Sequence, residues 1–271
     1  MFPVLLSFGP FELRTLSVFL IVAFLTSSFI FWRKGREEHY NEGEFFDGFI
    51  LATLVGFVAG RVGFIALNYE RFGLAVLHWF DIFAYPGING VIGLLCATVY
   101  LYRYAQHNKW DVFEVLDFWV LSLTSGLTLG YIGLFFDGTA VGRATTLPIG
   151  LVFPGLIEPH HPAQLYAAFF FGIISMYLSR VEYRYRTFEW YRSGKKTAQT
   201  GFLVSIFLIA TSLFFFIVSW VKTPVFSIAG IDLDRILALL AFVGGVILLY
   251  TRSGRTFLKR KPAYSPVNSE S

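Results

Sequence analysis

Apolar residues gather into long runs separated by polar segments. The clearest are Leu13 to Trp32, Phe46 to Leu67, Val112 to Phe136, Gly201 to Val221 and Leu233 to Tyr250, and two shorter ones are Ile88 to Tyr104 and Ala163 to Leu178. Each is close to the length that crosses a hydrocarbon layer of about 30 Å as a helix. Within hydrocarbon the backbone must satisfy its own hydrogen bonds, so these runs predict helices, and their lack of strict alternation excludes a β-barrel. The predicted fold class is all-α: a polytopic membrane protein with seven transmembrane helices. The first run lacks a basic segment ahead of it and is followed by Trp32-Arg33-Lys34. No small-residue cleavage site follows, so it reads as a retained helix rather than a signal peptide.

No polar stretch is long enough to be cut out as a soluble domain. The longest, Ser179 to Thr200, reads as a loop with helical extensions. Residues 1–252 are therefore expected to form one seven-helix transmembrane domain, and 253–271 a disordered cytoplasmic tail rich in polar residues. Asn68 to Gly87 and Asp137 to Pro162 are irregular and long, which suits a lid or a substrate entrance. A weak internal echo links Gly60-Arg61-Val62-Gly63-Phe64 with Gly130-Tyr131-Ile132-Gly133-Leu134. Glycine pairs such as Gly56 with Gly60 and Gly126 with Gly130 allow close helix packing, and packing alone would account for them.

Composition supports the membrane reading. Hydrophobic residues are 55% of the chain and charged residues 15%, against about one quarter in soluble domains. Charge also sets a direction. Of 22 Lys and Arg, sixteen lie in the first, third and fifth connections or the C-terminal tail, leaving Arg14, Arg61, Arg71, Arg143, Lys222 and Arg235 for the other side or a helix interior. Basic residues collect in cytoplasmic loops, so the N-terminus is expected outside and the C-terminus in the cytoplasm. The net charge of +4 thus reports topology and contact with anionic lipid, and gives no argument for nucleic acid. Cys96 is the single cysteine, so no intrachain disulfide forms, and its place in an apolar run suits packing.

Arg61 is the ionisable residue that stands out within an apolar run. A charge at that depth faces the bundle interior, a cavity or a counter-ion, unless it snorkels to the interface. The connection between the fourth and fifth helices holds Asp137, Gly138, Gly142, Arg143, His160 and His161, and Gln164 and Tyr166 follow at the head of the fifth helix. His161-Pro162-Ala163-Gln164 reads as a helix start, since proline in the first turn forfeits a donor that has no partner there anyway. Adjacent histidines can bind metal, but nothing else here has metal-ligand spacing, and no metal or cofactor is expected. A retinal-binding photoreceptor would need a lysine in the last helix, where Leu233 to Tyr250 has only Arg235.

Several of these motifs occur together in a known order. Phe8-Gly9-Pro10, Gly60-Arg61-Val62-Gly63-Phe64, Phe113-Glu114-Val115-Leu116-Asp117-Phe118, the block from Gly133 to Gly142-Arg143, Phe153-Pro154 and His161-Pro162-Ala163-Gln164-Leu165-Tyr166 resemble the prolipoprotein diacylglyceryl transferase family. The resemblance spans roughly Phe8 to Tyr166, and the last two helices match in number and hydropathy. It implies seven helices with the N-terminus outside, a bacterial inner membrane, and transfer of a diacylglyceryl group from phosphatidylglycerol to the cysteine thiol of a prolipoprotein signal peptide. Such chemistry needs a base for the thiol and cations for the leaving phosphate. By resemblance, His161 or Asp137 would be the base, and Arg61, Arg143, Asn89, Gly142, Gln164 and Tyr166 would bind substrate.

Other family positions differ. Ile88 stands at the family's histidine, Tyr131 at an arginine, Leu134 at an asparagine, Thr139 at a glutamate and Leu16 at a tyrosine, while Thr211 to Trp220 carries no charge where an arginine and a glutamate are expected. Two readings stay open: an enzyme that uses substitutes, or a catalytically inactive relative that binds an anionic phospholipid or a lipoprotein precursor.

Overall fold

The computed structural model describes residues 2–9, 11–73, 76–81, 85, 87–184, 199–222, 227–228 and 231–253. The tail from residue 254 onward and most of the polar stretch between Ser179 and Thr200 lie outside the described residues. In chain order the elements begin with β1 (Val4–Phe8), β2 (Phe11–Arg14), α1 (Thr15–Glu37), α2 (Glu42–Leu67), α3 (Tyr69–Phe72), α4 (Val76–Phe80) and α5 (Gly90–His107). They continue with α6 (Val112–Asp137), α7 (Ala163–Glu182), α8 (Phe202–Val218), β3 (Ser227–Ile228), β4 (Ile231–Asp232) and α9 (Leu233–Arg252).

Each apolar run is a helix. Among the described residues five helices, α1, α2, α6, α7 and the Arg235–Arg252 part of α9, are long and apolar enough to cross a membrane, while α8 is apolar but shorter. Their outer faces carry exposed side chains such as Leu20, Ile21, Leu54, Val58, Leu239 and Leu240, which a soluble protein would bury. This is the fold of a polytopic membrane protein.

The sequence reading missed two small hairpins. The first run begins as a helix at Thr15 rather than Leu13, because Phe11–Arg14 pairs antiparallel with Val4–Phe8. Gly9 sits between the strands at φ 59°, a left-handed conformation that glycine adopts without steric cost. The second hairpin pairs Ser227 with Asp232 just before α9.

Polar side chains fix the helix starts. Asn41 accepts the N–H groups of Gly43 and Glu44, Asp111 those of Phe113 and Glu114, and Asn89 that of Ile92. Each supplies an acceptor for amides that have no partner inside the helix. Glycines set the closest crossings. A Cβ on Gly93 would sit 2.6 Å from the Gly56 carbonyl oxygen, so α2 and α5 touch backbone to backbone there. Gly126 of α6 packs on Ser27 and Gly133 on Phe19, both of α1.

Successive long helices alternate in direction, which divides the bundle into two ends. At the end where α1 finishes and α2 starts, Phe31 stacks on Phe45 at 4.4 Å within a buried aromatic cluster that includes Phe49, Phe118 and Trp119. Lys34 of α1 pairs with the buried Glu182 of α7 at 2.9 Å, and Tyr40 donates to Glu114. Arg252 donates to the Thr200 carbonyl at 2.6 Å and lies over the Phe113 ring. These contacts tie together the ends of α1, α7 and α9 and the starts of α6 and α8.

Candidate functional site

The predicted site residues all lie at the opposite end, where α2 and α6 finish and α5 and α7 begin. They form two sets. One is the connection from α2 to α5, with Arg61 and Asn89. The other is the connection from α6 to α7, with Asp137, Gly142, Arg143, His161, Gln164 and Tyr166. The described hydrogen bonds of Arg61, Asn89, Arg143, His161 and Gln164 do not join one set to the other.

Arg61 is buried, with 6% of its surface exposed. Its guanidinium donates from Nε to the Trp79 carbonyl at 3.0 Å and from Nη1 to those of Tyr85 and Gly87 at 2.7 and 2.9 Å. Nη2 makes longer contacts of 3.4 Å to the carbonyls of His78 and Asp81. The five donors of the guanidinium fork thus face five main-chain acceptors of one loop. The ring of Phe72 lies 5.4 Å from the guanidinium carbon. Backbone carbonyls supply the compensation that sequence reading sought in a cavity or a counter-ion. Asn89 closes the same loop: its side chain caps α5, and its N–H donates to the Gly60 carbonyl at 2.9 Å.

The second set is built around the end of α6. Gly138 takes the left-handed conformation at φ 77° and terminates the helix, leaving Asp137 as the last helical residue, half-buried. The chain then folds back on itself: Gly142 N–H donates to the His161 carbonyl at 2.9 Å, and His161 N–H to the Arg143 carbonyl at 3.0 Å. A Cβ at Gly142 would lie 2.8 Å from His161 Cβ and 2.9 Å from the Val221 carbonyl oxygen, so only glycine fits without displacement. Arg143 joins this loop to the turn after α8, its N–H donating to Val221 at 2.7 Å and its Nε to the Lys222 carbonyl at 3.0 Å. Phe153 is fully buried against the edge of Phe135 and anchors the distal part of the loop.

Gln164 and His161 connect the loop to α7. Gln164 has 1% of its surface exposed and donates through Nε2 to the Thr139 carbonyl. His161 Nδ1 lies 3.2 Å from the Tyr166 hydroxyl. If Nδ1 carries the proton and donates to the phenol oxygen, Nε2 is left as a free base. His161, Tyr166 and the exposed Arg143 therefore form one hydrogen-bonded group, Arg143 joining through its backbone carbonyl. A cavity of about 570 Å³ lies elsewhere, at the other end between α1 and α2, lined by residues including Leu25, Phe29, Trp32 and Phe46.

A family model described as prolipoprotein diacylglyceryl transferase matches residues 3–251. The chain belongs to this family. It is 33% identical over 182 residues to the phosphatidylglycerol–prolipoprotein diacylglyceryl transferase of Wolbachia sp. subsp. Brugia malayi, an alignment covering 64% of this chain and 66% of that one. The protein of the same name from Photobacterium profundum is 30% identical over 231 residues, covering 82% and 80%. That from Aeromonas salmonicida is 27% identical over 262 residues, covering 92% and 89%. The family match extends through the last two helices, beyond the motifs legible in the sequence.

Tyr131, Ile88, Leu16 and Thr139, the residues expected from the motifs to differ from the family, have contacts of their own. Tyr131 stacks on Phe171 at 5.6 Å and 11°. It borders an apolar cluster of α6, α7 and α8 in which Phe170 stacks on Phe214 at 4.2 Å. Ile88 packs on Gly60 and Leu16 on Gly133. Thr139 contributes its carbonyl to Gln164. Asp117 has a structural partner that sequence reading did not identify: it accepts the N–H groups of Gly201 and Val204 at the start of α8.

Proposed function

We propose that this protein transfers the diacylglyceryl group of phosphatidylglycerol, or a similar anionic lipid, to the cysteine thiol of a prolipoprotein signal peptide, at the outer leaflet of a bacterial plasma membrane. Residues 1–252 would cross that membrane seven times, with the N-terminus outside and the C-terminal tail, 253–271, in the cytoplasm. Support for the activity comes from relatives of that name at 27–33% identity. Support for the sidedness comes from sixteen of 22 basic residues lying at the ends of the runs opposite the candidate site or in the tail.

In this reading the thiol gives its proton to a base, a carbon–sulfur bond forms at the glyceryl carbon, the carbon–oxygen bond to phosphate breaks, and glycerol phosphate leaves. His161 is the base, its ring oriented by Tyr166, with Asp137 at the end of α6 as the alternative base. Arg143 takes the phosphate, since a guanidinium presents two parallel donors to two oxygens. Gly142 lets the two loop strands approach, Gln164 holds the loop to α7, and Arg61 and Asn89 fix the neighbouring loop that borders the lipid. The observation that carries the proposal is the hydrogen-bonded link from Arg143 through His161 to Tyr166.

A second reading is a non-catalytic relative that binds the lipid or the lipoprotein precursor. The Tyr131–Phe171 stack favours it, because an aromatic pair occupies a position where the motif resemblance leads one to expect an arginine. Complementation separates the two: cells depleted of their own transferase are supplied with this chain and scored for lipoprotein maturation. Maturation that is lost with His161→Gln supports transfer, whereas no maturation from a membrane-inserted protein leaves the binding reading.

A further inference from the structure

Basic residues are sparse at the site end of the bundle, yet the fold gathers several of them. Of the six lysines and arginines outside the basic loops and tail, Arg143, Lys222 and Arg235 meet around the turn that follows α8, although 79 residues separate the first two. Main-chain carbonyls set this arrangement. Arg143 N–H and Nε reach the carbonyls of Val221 and Lys222 at 2.7 and 3.0 Å. Arg235 lies over the Trp220 ring at 4.2 Å and donates to Ser219 Oγ at 3.1 Å.

Arg143 and Lys222 have no carboxylate within ion-pair distance among the described residues. The Arg143 Nη groups and the Lys222 ammonium likewise have no hydrogen-bond acceptor among them. Two like charges held on adjacent backbone near water repel modestly and together attract an anion. At the opposite end the cations behave differently, with Arg33, Lys34 and Arg36 each facing a glutamate.

We propose that Lys222 and Arg143 together form a phosphate-binding site, with Lys222 as a lipid-binding residue additional to those the motifs indicate. Arg143 supplies the planar fork and Lys222 a compact point charge. Trp220, 60% exposed beside them, offers the amphipathic ring that suits the headgroup level of a bilayer. The assignment rests on the proposed lipid-handling role, but it concerns binding alone and needs no acceptor peptide. The phosphate could belong to a lipid headgroup or to free glycerol phosphate, the leaving group of the proposed reaction.

The test uses the full chain in nanodiscs. One arm measures enrichment of bound phosphatidylglycerol over phosphatidylcholine by native mass spectrometry, and the other measures binding of sn-glycerol 1-phosphate by calorimetry in discs of phosphatidylcholine only. Lys222→Gln should weaken whichever anion binds by about threefold to tenfold, as expected for loss of a charged contact near water. Lys222→Arg should restore it, and Lys109→Gln, outside the site, should change nothing. An effect in the first arm assigns the site to lipid, and an effect in the second alone assigns it to the released phosphate. If Lys222→Gln and Arg143→Gln, both with wild-type thermal midpoints, bind both probes as the wild type does, the site does not exist. Because neither arm includes a peptide, that failure is distinct from a failure of transfer.

Discussion

The carboxylate of Asp117, buried in the first part of α6, accepts the backbone N–H of Gly201 at 2.8 Å and so caps the start of α8 from a neighbouring helix. Its other oxygen takes the N–H of Val204 at 2.9 Å. Asp117→Ala leaves both amides buried without partners and should cost about 2–4 kcal/mol of stability. Asp117→Asn keeps one acceptor and should cost less than half of that. Thermal midpoints in detergent check both, and a wild-type midpoint for the alanine variant would remove the capping role.

Arg61 makes a similar prediction for the loop between α2 and α5. Lysine has three donors on a single nitrogen, so Arg61→Lys cannot reproduce contacts spread from Trp79 to Gly87. Hydrogen exchange and limited proteolysis should both accelerate in residues 68–89 of Arg61→Lys and Arg61→Ala, with little change at the α1–α2 end. Unchanged protection of that loop in Arg61→Ala would contradict the clamp.

Gly93→Ala tests the closest helix crossing. Its methyl would lie 2.6 Å from the Gly56 carbonyl, and backbone cannot yield as a side chain can. The expected loss is about 1–3 kcal/mol, typical of overpacking. Gly130→Ala, which meets nothing within 4 Å, should be close to neutral in the same unfolding measurement. Equal stabilities would mean that the crossing relaxes freely.

How much of this was readable beforehand depends on the range of the interactions. Helix positions were legible because hydropathy is a local property, and the ends at Leu67, Val112 and Ala163 fall where the apolar runs predict. The hairpin at Val4–Arg14 was not, because Leu13 continues the apolar run and only the antiparallel pairing pulls it into a strand. Arg61 stood out as a buried charge, but its partners are loop carbonyls, which carry no side-chain signal. The α6–α7 loop residues were recognisable from their motifs. Lys222 was not, since its approach to Arg143 is made through its backbone carbonyl, far from Arg143 in sequence. Its one signal was being a basic residue outside the basic loops.

Sidedness can be measured directly. In a Cys96→Ala background, Ser7→Cys should react with a membrane-impermeant maleimide on intact cells, while Gln199→Cys should react only after lysis. Both positions are exposed, so neither readout is limited by burial. The reverse pattern would invert the proposed topology and put the candidate site on the cytoplasmic face.

The transfer reaction itself is the most direct test. Purified protein in phosphatidylglycerol liposomes is given a lipobox peptide, and glycerol phosphate release is followed together with the mass of the peptide. The proposal predicts one glycerol phosphate for each peptide gaining a diacylglyceryl group, a rate lower by about 10²-fold or more in His161→Gln, and dependence on Arg143. An unmodified peptide and no release, under conditions in which the Photobacterium profundum relative turns over, would contradict it.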